Sequence, residues 1–313
     1  MKRFIHNIAI LGIMLLLINI AIEFLLFLRP NEYSYKRAYV EEHINDIRCL
    51  LLGNSHIAYA LKPNLLGNDV FNMATLGRNI VYDIDLAKRY VPQMKRLEFL
   101  IIPLEYNQFY FDRQKDNPNE MKKPLGREGT YKCMYYKYMG IRVDGFWYWS
   151  EILNSKLDYM KRFLKKDVDA RECDSLGYVK RSLSKRNANW KDRSLPKIID
   201  TTIDANREEQ KLLFSRYCTL AKLAMNQGAK LVLIFTPLYK TYNNSTNPVV
   251  IREMESFVAN LKQKNPNVEY YDYSTDERFI DEDFYDSSHL TDIGANKFSK
   301  IVKEEVLSSL EQV

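Results

Sequence analysis

Hydrophobic residues along the chain fall into blocks whose spacing changes from one block to the next, and the spacing predicts the architecture. Residues Ile8 to Leu28 are almost uninterruptedly apolar, with Glu23 the one charge among them. About 20 such residues are enough for a helix to cross a bilayer. Five later blocks read as strands: 47–52, 69–74, 97–104, 230–236 and 268–273. The third and fourth are nearly continuous apolar runs, the pattern of strands covered on both faces of a parallel sheet. Helical periodicity fills 80–94, 206–227, 248–264 and 291–311. In the second of these, Leu212, Leu213, Tyr217, Leu220, Leu223 and Ala224 share one face, and Gly228 stands where a helix-ending glycine is expected. Strand and helix alternate, which predicts an α/β, doubly wound (flavodoxin-like) fold with a parallel five-stranded sheet.

Residues 108–200 interrupt the alternation. The stretch is too long for a bare loop, so it is expected to be a partly helical insertion emerging after the third strand, at the carboxyl end of the sheet. The expected organisation is a transmembrane anchor (1–29), a juxtamembrane linker (30–45), an α/β domain (46–107 and 201–313) and the insertion (108–200). Export of the globular part, in a single-pass membrane protein, is expected from the short polar tail before the apolar run. Basic residues flank that run on both sides, so they leave the orientation undecided. No small-residue cleavage site follows the run, which favours an anchor over a signal peptide.

Composition changes this picture in one place. The 313-residue chain carries a net charge of +6, but residues 108–195 hold 20 Lys and Arg against 12 Asp and Glu. All three tryptophans (Trp147, Trp149, Trp190) lie in the same window. Tyr131, Tyr135, Tyr136, Tyr138, Phe146, Trp147, Tyr148 and Trp149 interleave there with Lys132, Lys137 and Arg142. Two readings stand: a platform for sugar rings or anionic headgroups, or a helical cap whose aromatics pack inward. No nucleic-acid-binding module is recognisable, and an anchored chain argues against that partner. Cys49, Cys133, Cys173 and Cys218 lack metal-type spacing, and neither a metal nor a cofactor is expected. Cys133 and Cys173 are candidates for a disulfide in an exported domain.

The chemistry lies at the ends of the blocks. Gly53-Asn54-Ser55-His56 follows the first strand, and Asp286-Ser-Ser-His289 precedes the last helix. A serine on a strand-to-loop turn with a distant Asp-x-x-His pair supplies nucleophile, base and orienting carboxylate for acyl transfer. Only four histidines are present; His6 belongs to the apolar segment, His43 precedes the core, and His56 has no orienting carboxylate in sight. His289 is therefore the expected base. Alone, each motif has an ordinary explanation: turn chemistry for the serine, helix capping for the aspartate.

Four segments in order resemble the SGNH hydrolase family, the GDSL-like esterases and acyltransferases. Gly53-Asn54-Ser55 resembles its first block, Asn72-Met-Ala-Thr-Leu-Gly77 the second, Ile101-Ile-Pro-Leu-Glu105-Tyr-Asn107-Gln108 the third, and Asp286-Ser-Ser-His289 the last. The resemblance implies a catalytic Ser55, Asp286 and His289, with an oxyanion hole formed by the Ser55 and Gly77 N–H groups and the Asn107 side chain. Asn54 replaces an aspartate, Glu105 a glycine and Gln108 an aspartate of the family pattern, so Asn54, His56 and Glu105 are expected on the substrate rim. The function implied is a membrane-anchored esterase or O-acyltransferase acting on an ester, most readily of a cell-envelope carbohydrate. Its expected partners are the bilayer through residues 8–28, the acyl-ester or carbohydrate substrate, and another membrane acyl-transfer protein. The competing expectation is a non-catalytic scaffold or binding subunit on the same fold.

Overall fold

The computed structural model describes residues 1–106, 127–141, 149–154, 172–193 and 207–308. Two compact units emerge: Met1–Arg37 with Asn117–Arg171, and Ala38–Asp116 with Glu172–Val313.

In the first unit the apolar run forms one helix, Lys2–Phe27, long and apolar enough to cross a membrane. At about 1.5 Å per residue it measures roughly 39 Å. Glu23, its one internal charge, is buried and fully engaged. The carboxylate accepts from Lys137 Nζ at 2.7 Å, Ser150 Oγ at 2.6 Å, and the Glu151 and Ile152 N–H groups at 3.1 and 3.0 Å. A buried carboxylate needs such partners, because desolvation alone would force it neutral. Tyr135 and Tyr138 of the helix Arg127–Met139 are buried, whereas Tyr136 and Trp149 are exposed. Most of this helix's aromatic surface is thus packing. Phe146, Trp147 and Tyr148 lie outside the described residues.

The second unit contains the sheet. All five expected strands form: β1 Cys49–Leu51, β2 Val70–Asn72, β3 Phe99–Pro103, β4 Lys230–Phe235 and β5 Val268–Asp272. Every pairing is parallel and the order is β2-β1-β3-β4-β5, the doubly wound arrangement with its switch point between β1 and β3. β3 is buried along its whole length, as its unbroken apolar run requires. Helices Ile80–Tyr90, Arg207–Met225 and Pro248–Lys264 pack together, while Asp292–Val302 packs with the short helices Ser55–Ala60 and Pro63–Leu66. Side chains at the helix starts take up otherwise orphaned N–H groups. Asn79 accepts from Val81 N–H at 3.1 Å, Asn247 from Val249 N–H at 2.9 Å, and Thr291 from Gly294 N–H at 3.2 Å.

Two expectations change here. Residues 172–193 belong to the α/β unit and not to the insertion, since Val179 and Trp190 sit in its hydrophobic core. Cys133 and Cys173, expected as partners within one insertion, fall in different units, and each carries a free thiol.

One buried ion pair ties the loops after β1 and β2 together. Arg78 Nη1 lies 3.0 Å from Asp83 Oδ1, which also accepts the Gly53 N–H at 2.9 Å. Arg78 donates further to the Met73 carbonyl at 2.6 Å and to Thr75 Oγ1 at 3.1 Å, while Thr75 N–H bonds the Gly53 carbonyl at 3.1 Å. Burial pushes the Asp83 carboxyl up, against the pull of Arg78 and the Gly53 N–H. Breaking such a pair leaves an uncompensated buried charge, so Asp83→Ala is expected to cost about 3–5 kcal/mol. The measurement is a fall in the urea midpoint of the detergent-solubilised chain at unchanged m-value.

Candidate active site

Ser55 opens a short helix, Ser55–Ala60, immediately past the carboxyl end of β1. Gly53 makes that approach, with φ at +120°, a value side-chain-bearing residues rarely adopt. A Cβ there would overlap the Pro103 ring at the end of β3, 2.7 Å from Cγ. The backbone therefore passes closer to its neighbouring strand than any other residue allows. Asn54 Oδ1 accepts the His56 N–H at 2.9 Å, which caps the helix and fixes the turn.

Ser55 Oγ lies 2.9 Å from His289 Nε2, across 234 residues of sequence. On the far side of the ring, His289 Nδ1 is 2.9 and 3.1 Å from the two Asp286 carboxylate oxygens. An ionised carboxylate only accepts, so Nδ1 carries the proton and Nε2 is free to accept the serine O–H. Burial pushes the Asp286 carboxyl up, but the His289 hydrogen bond and charge and the Ser288 N–H outweigh it and hold it at about 2. The His289 imidazole is itself held below its ordinary value, first by burial and then by the charge of His56; Asp286 pulls the other way. Its side chain keeps 17% of its surface exposed, so a substrate can reach the ring. A serine hydroxyl bonded to a neutral, oriented imidazole is what nucleophilic catalysis demands.

His56 and Glu105 are buried and do not form a rim, whereas Asn54 is half-buried beside Ser55. The Asn54 carboxamide oxygen is used in the cap, and His56 and Glu105 are 7% and 2% exposed. The two buried residues instead pair with one another. His56 Nδ1 lies 3.0 Å from Glu105 Oε1, and Thr236 Oγ1 donates to the same oxygen at 3.3 Å. The His56 ring lies tilted against that of His289 with centroids 4.5 Å apart. His56 therefore has its carboxylate after all, brought in from the end of β3. Leu51 and Ile101 are in register, so the segments following β1 and β3 leave the sheet side by side. That adjacency is the signal by which Glu105 can be found.

Gly77 follows β2 in a left-handed conformation, φ +66°, in the loop that Thr75 ties to Gly53. Asn107 and Gln108 lie outside the described residues. Among the described residues, no group of three or more His, Cys, Asp or Glu is placed to hold a metal ion.

The electrostatics predict opposite shifts for two substitutions. With the His289 ring followed by NMR in selectively labelled protein, His56→Gln is expected to raise its titration midpoint and Asp286→Asn to lower it. Equal or like-signed shifts would contradict the arrangement.

No protein-family model matches the chain, and no curated protein sequence does. Among solved structures it is similar to a candidate SGNH hydrolase from Slackia heliotrinireducens, at 12% identity and a TM-score of 0.42, over 84% of this chain and 100% of that one. A candidate acylhydrolase from Bacteroides fragilis NCTC 9343 matches at 11% identity and 0.38, over 85% and 89% of the two chains. A GDSL-like lipase from Bacteroides thetaiotaomicron VPI-5482 matches at 10% and 0.39, over 90% and 98%. Similarity at this level leaves the chemistry to be argued from the residues themselves.

Proposed function

We propose that this chain is a membrane-anchored serine esterase or O-acyltransferase of the SGNH type, its globular part on the extracytoplasmic side. The observation that carries the reading is the hydrogen-bonded line Ser55–His289–Asp286, closed at 2.9 Å on both sides of the imidazole.

The reaction follows from that line. Ser55 Oγ bonds to the ester carbonyl carbon as its proton passes to His289 Nε2. Asp286 balances the imidazolium, which then gives its proton to the departing alkoxide and leaves an acyl-serine. Water or a carbohydrate hydroxyl attacks next, its proton moving to His289, and Ser55 recovers a proton as the acyl group departs. The Ser55 and Gly77 N–H groups and the Asn107 amide serve as oxyanion donors. Each such donor is typically worth about 3–4 kcal/mol. The apolar helix holds the site near a bilayer, where another membrane protein supplies the acyl group if transfer is the reaction.

Ser55→Ala and His289→Ala are each expected to reduce turnover of a small acetyl ester about 10⁶-fold, the scale found for losing the serine or the histidine of such a triad. A fluorophosphonate probe should label the parent chain and not Ser55→Ala. A folded parent that fails to label would instead favour a non-catalytic scaffold on the same fold.

A further inference from the structure

Beside the triad lies a cavity that the acyl-transfer steps leave unused. Its volume is about 510 Å³, and its wall includes Tyr59, Glu172, Lys180, Arg181, Lys185 and Tyr285. Three cations face one carboxylate. The cations come from a strongly basic segment: residues 178–193 hold six Lys and Arg against the single acid Asp192.

This segment is irregular, yet it is stitched to both halves of the catalytic site. Val179 N–H bonds the Ala58 carbonyl of the nucleophile helix at 3.0 Å. The Asp292 N–H bonds the Arg181 carbonyl at 2.7 Å, and Ser287 N–H the Arg193 carbonyl at 3.2 Å. Tyr285 donates its hydroxyl to the Lys185 carbonyl at 3.0 Å, and Arg186 Nη1 donates to the Phe284 carbonyl at 3.0 Å. The basic side chains are consequently carried on a backbone held in place by the loop that presents His289.

Arg181 is the most constrained of them. Its guanidinium lies 4.3 Å from the Tyr59 ring centroid and 4.9 Å from that of Tyr285, and it donates to the Tyr59 hydroxyl. Stacking on two rings fixes the plane of the fork, the form in which arginine reads a carboxylate or phosphate. Its Nε is buried and has no hydrogen-bond partner. Among the described residues no carboxylate lies within ion-pair distance of Arg181 or Lys185. Lys180 reaches Asp292 only at 3.8 Å, while Lys62 already holds that carboxylate at 2.6 Å. Uncompensated cations in a concave site attract anions. Tyr59 links the cavity to the chemistry, since its ring also meets the edge of His289 at 5.5 Å. An anion bound there would sit one aromatic ring away from the general base.

We infer that this cavity is a subsite for an anionic group, a carboxylate or a phosphate, on the carbohydrate that carries or accepts the acyl group. The inference rests on the esterase reading for its biological sense but not for its binding. It makes the substrate an anionic glycan. A neutral ester would leave Arg181 and Lys185 without an anionic partner.

The test has two arms. In the first, full-length Ser55→Ala protein in detergent is titrated calorimetrically with oligogalacturonate, with an oligomer of glycerol phosphate and with neutral maltohexaose. One of the two anionic ligands is expected to bind, weakening as salt rises, with maltohexaose inert; which one binds distinguishes carboxylate from phosphate. Adding Lys185→Gln, an exposed and structurally mild change, or Arg181→Gln should weaken that binding at least tenfold, the scale of one charge-assisted hydrogen bond. The unfolding midpoint confirms that each variant is folded. In the second arm, the ratio of kcat/KM for O-acetylated oligogalacturonate to kcat/KM for p-nitrophenyl acetate should fall by a like factor in the Lys185→Gln chain. Equal binding of all three oligomers, or undiminished anion binding in folded variants, overturns the inference. Because the binding arm needs no nucleophile, inactivity of the parent would count against the esterase reading and leave the subsite independently decided.

Discussion

The site depends on one buried carboxylate. Asp286 accepts from its own loop and from the base at once: Ser288 N–H and His289 N–H at 3.0 Å each, Ser288 Oγ at 3.3 Å and His289 Nδ1 at 2.9 Å. Those bonds bend residues 286–289 so that the imidazole turns back toward the sheet. They also compensate the desolvation that would otherwise protonate the group. The neighbouring backbone supports the same shape. Tyr285 N–H bonds the His289 carbonyl at 2.8 Å, and Thr291, the cap of the last helix, bonds the Glu282 carbonyl at 2.8 Å. Gly294 lets that helix lie against this loop, for a Cβ would strike the Asp283 carbonyl, 3.0 Å from its carbon. Positioning the base and closing the fold are accordingly one set of contacts.

Much of this architecture was readable from periodicity. The apolar runs at 97–104 and 230–236 became central strands β3 and β4, and the helix expected at 248–264 spans Pro248–Lys264. Ser55, His289 and Asp286 meet as their positions at element ends implied, because a parallel sheet gathers every carboxyl end on one edge. What periodicity does not carry is pairing across the sheet. Glu105 reads as a rim acid in one dimension, and only the β1–β3 register shows that it faces His56. Asn54 serves the backbone through its carboxamide oxygen, as an Asx residue before a helix commonly does. The span 172–193 was legible only as part of a basic, partly helical insertion. It joins the core through main-chain hydrogen bonds and scattered side chains such as Val179 and Trp190, and neither leaves a repeating pattern.

The departure at Glu105 carries a physical consequence for the chemistry. Two imidazoles with centroids 4.5 Å apart, one of them buried, lie within range of each other's charge. The charge of His56 disfavours a proton on His289. The same charge would oppose the imidazolium that the proposed transfer from Ser55 would form. Glu105, in contact with His56 at 3.0 Å and almost wholly buried, counters that opposition, and its charge favours the protonated His289 ring. A glycine at this position would leave His56 with only the Thr236 hydroxyl, 3.4 Å away. A histidine directly after Ser55 and an acid at the end of β3 therefore make sense as a pair and not singly. His56 takes one oxygen of the buried carboxylate, Oε1, while Oε2 is buried with no hydrogen-bond partner, so the pair compensates the burial of Glu105 only in part.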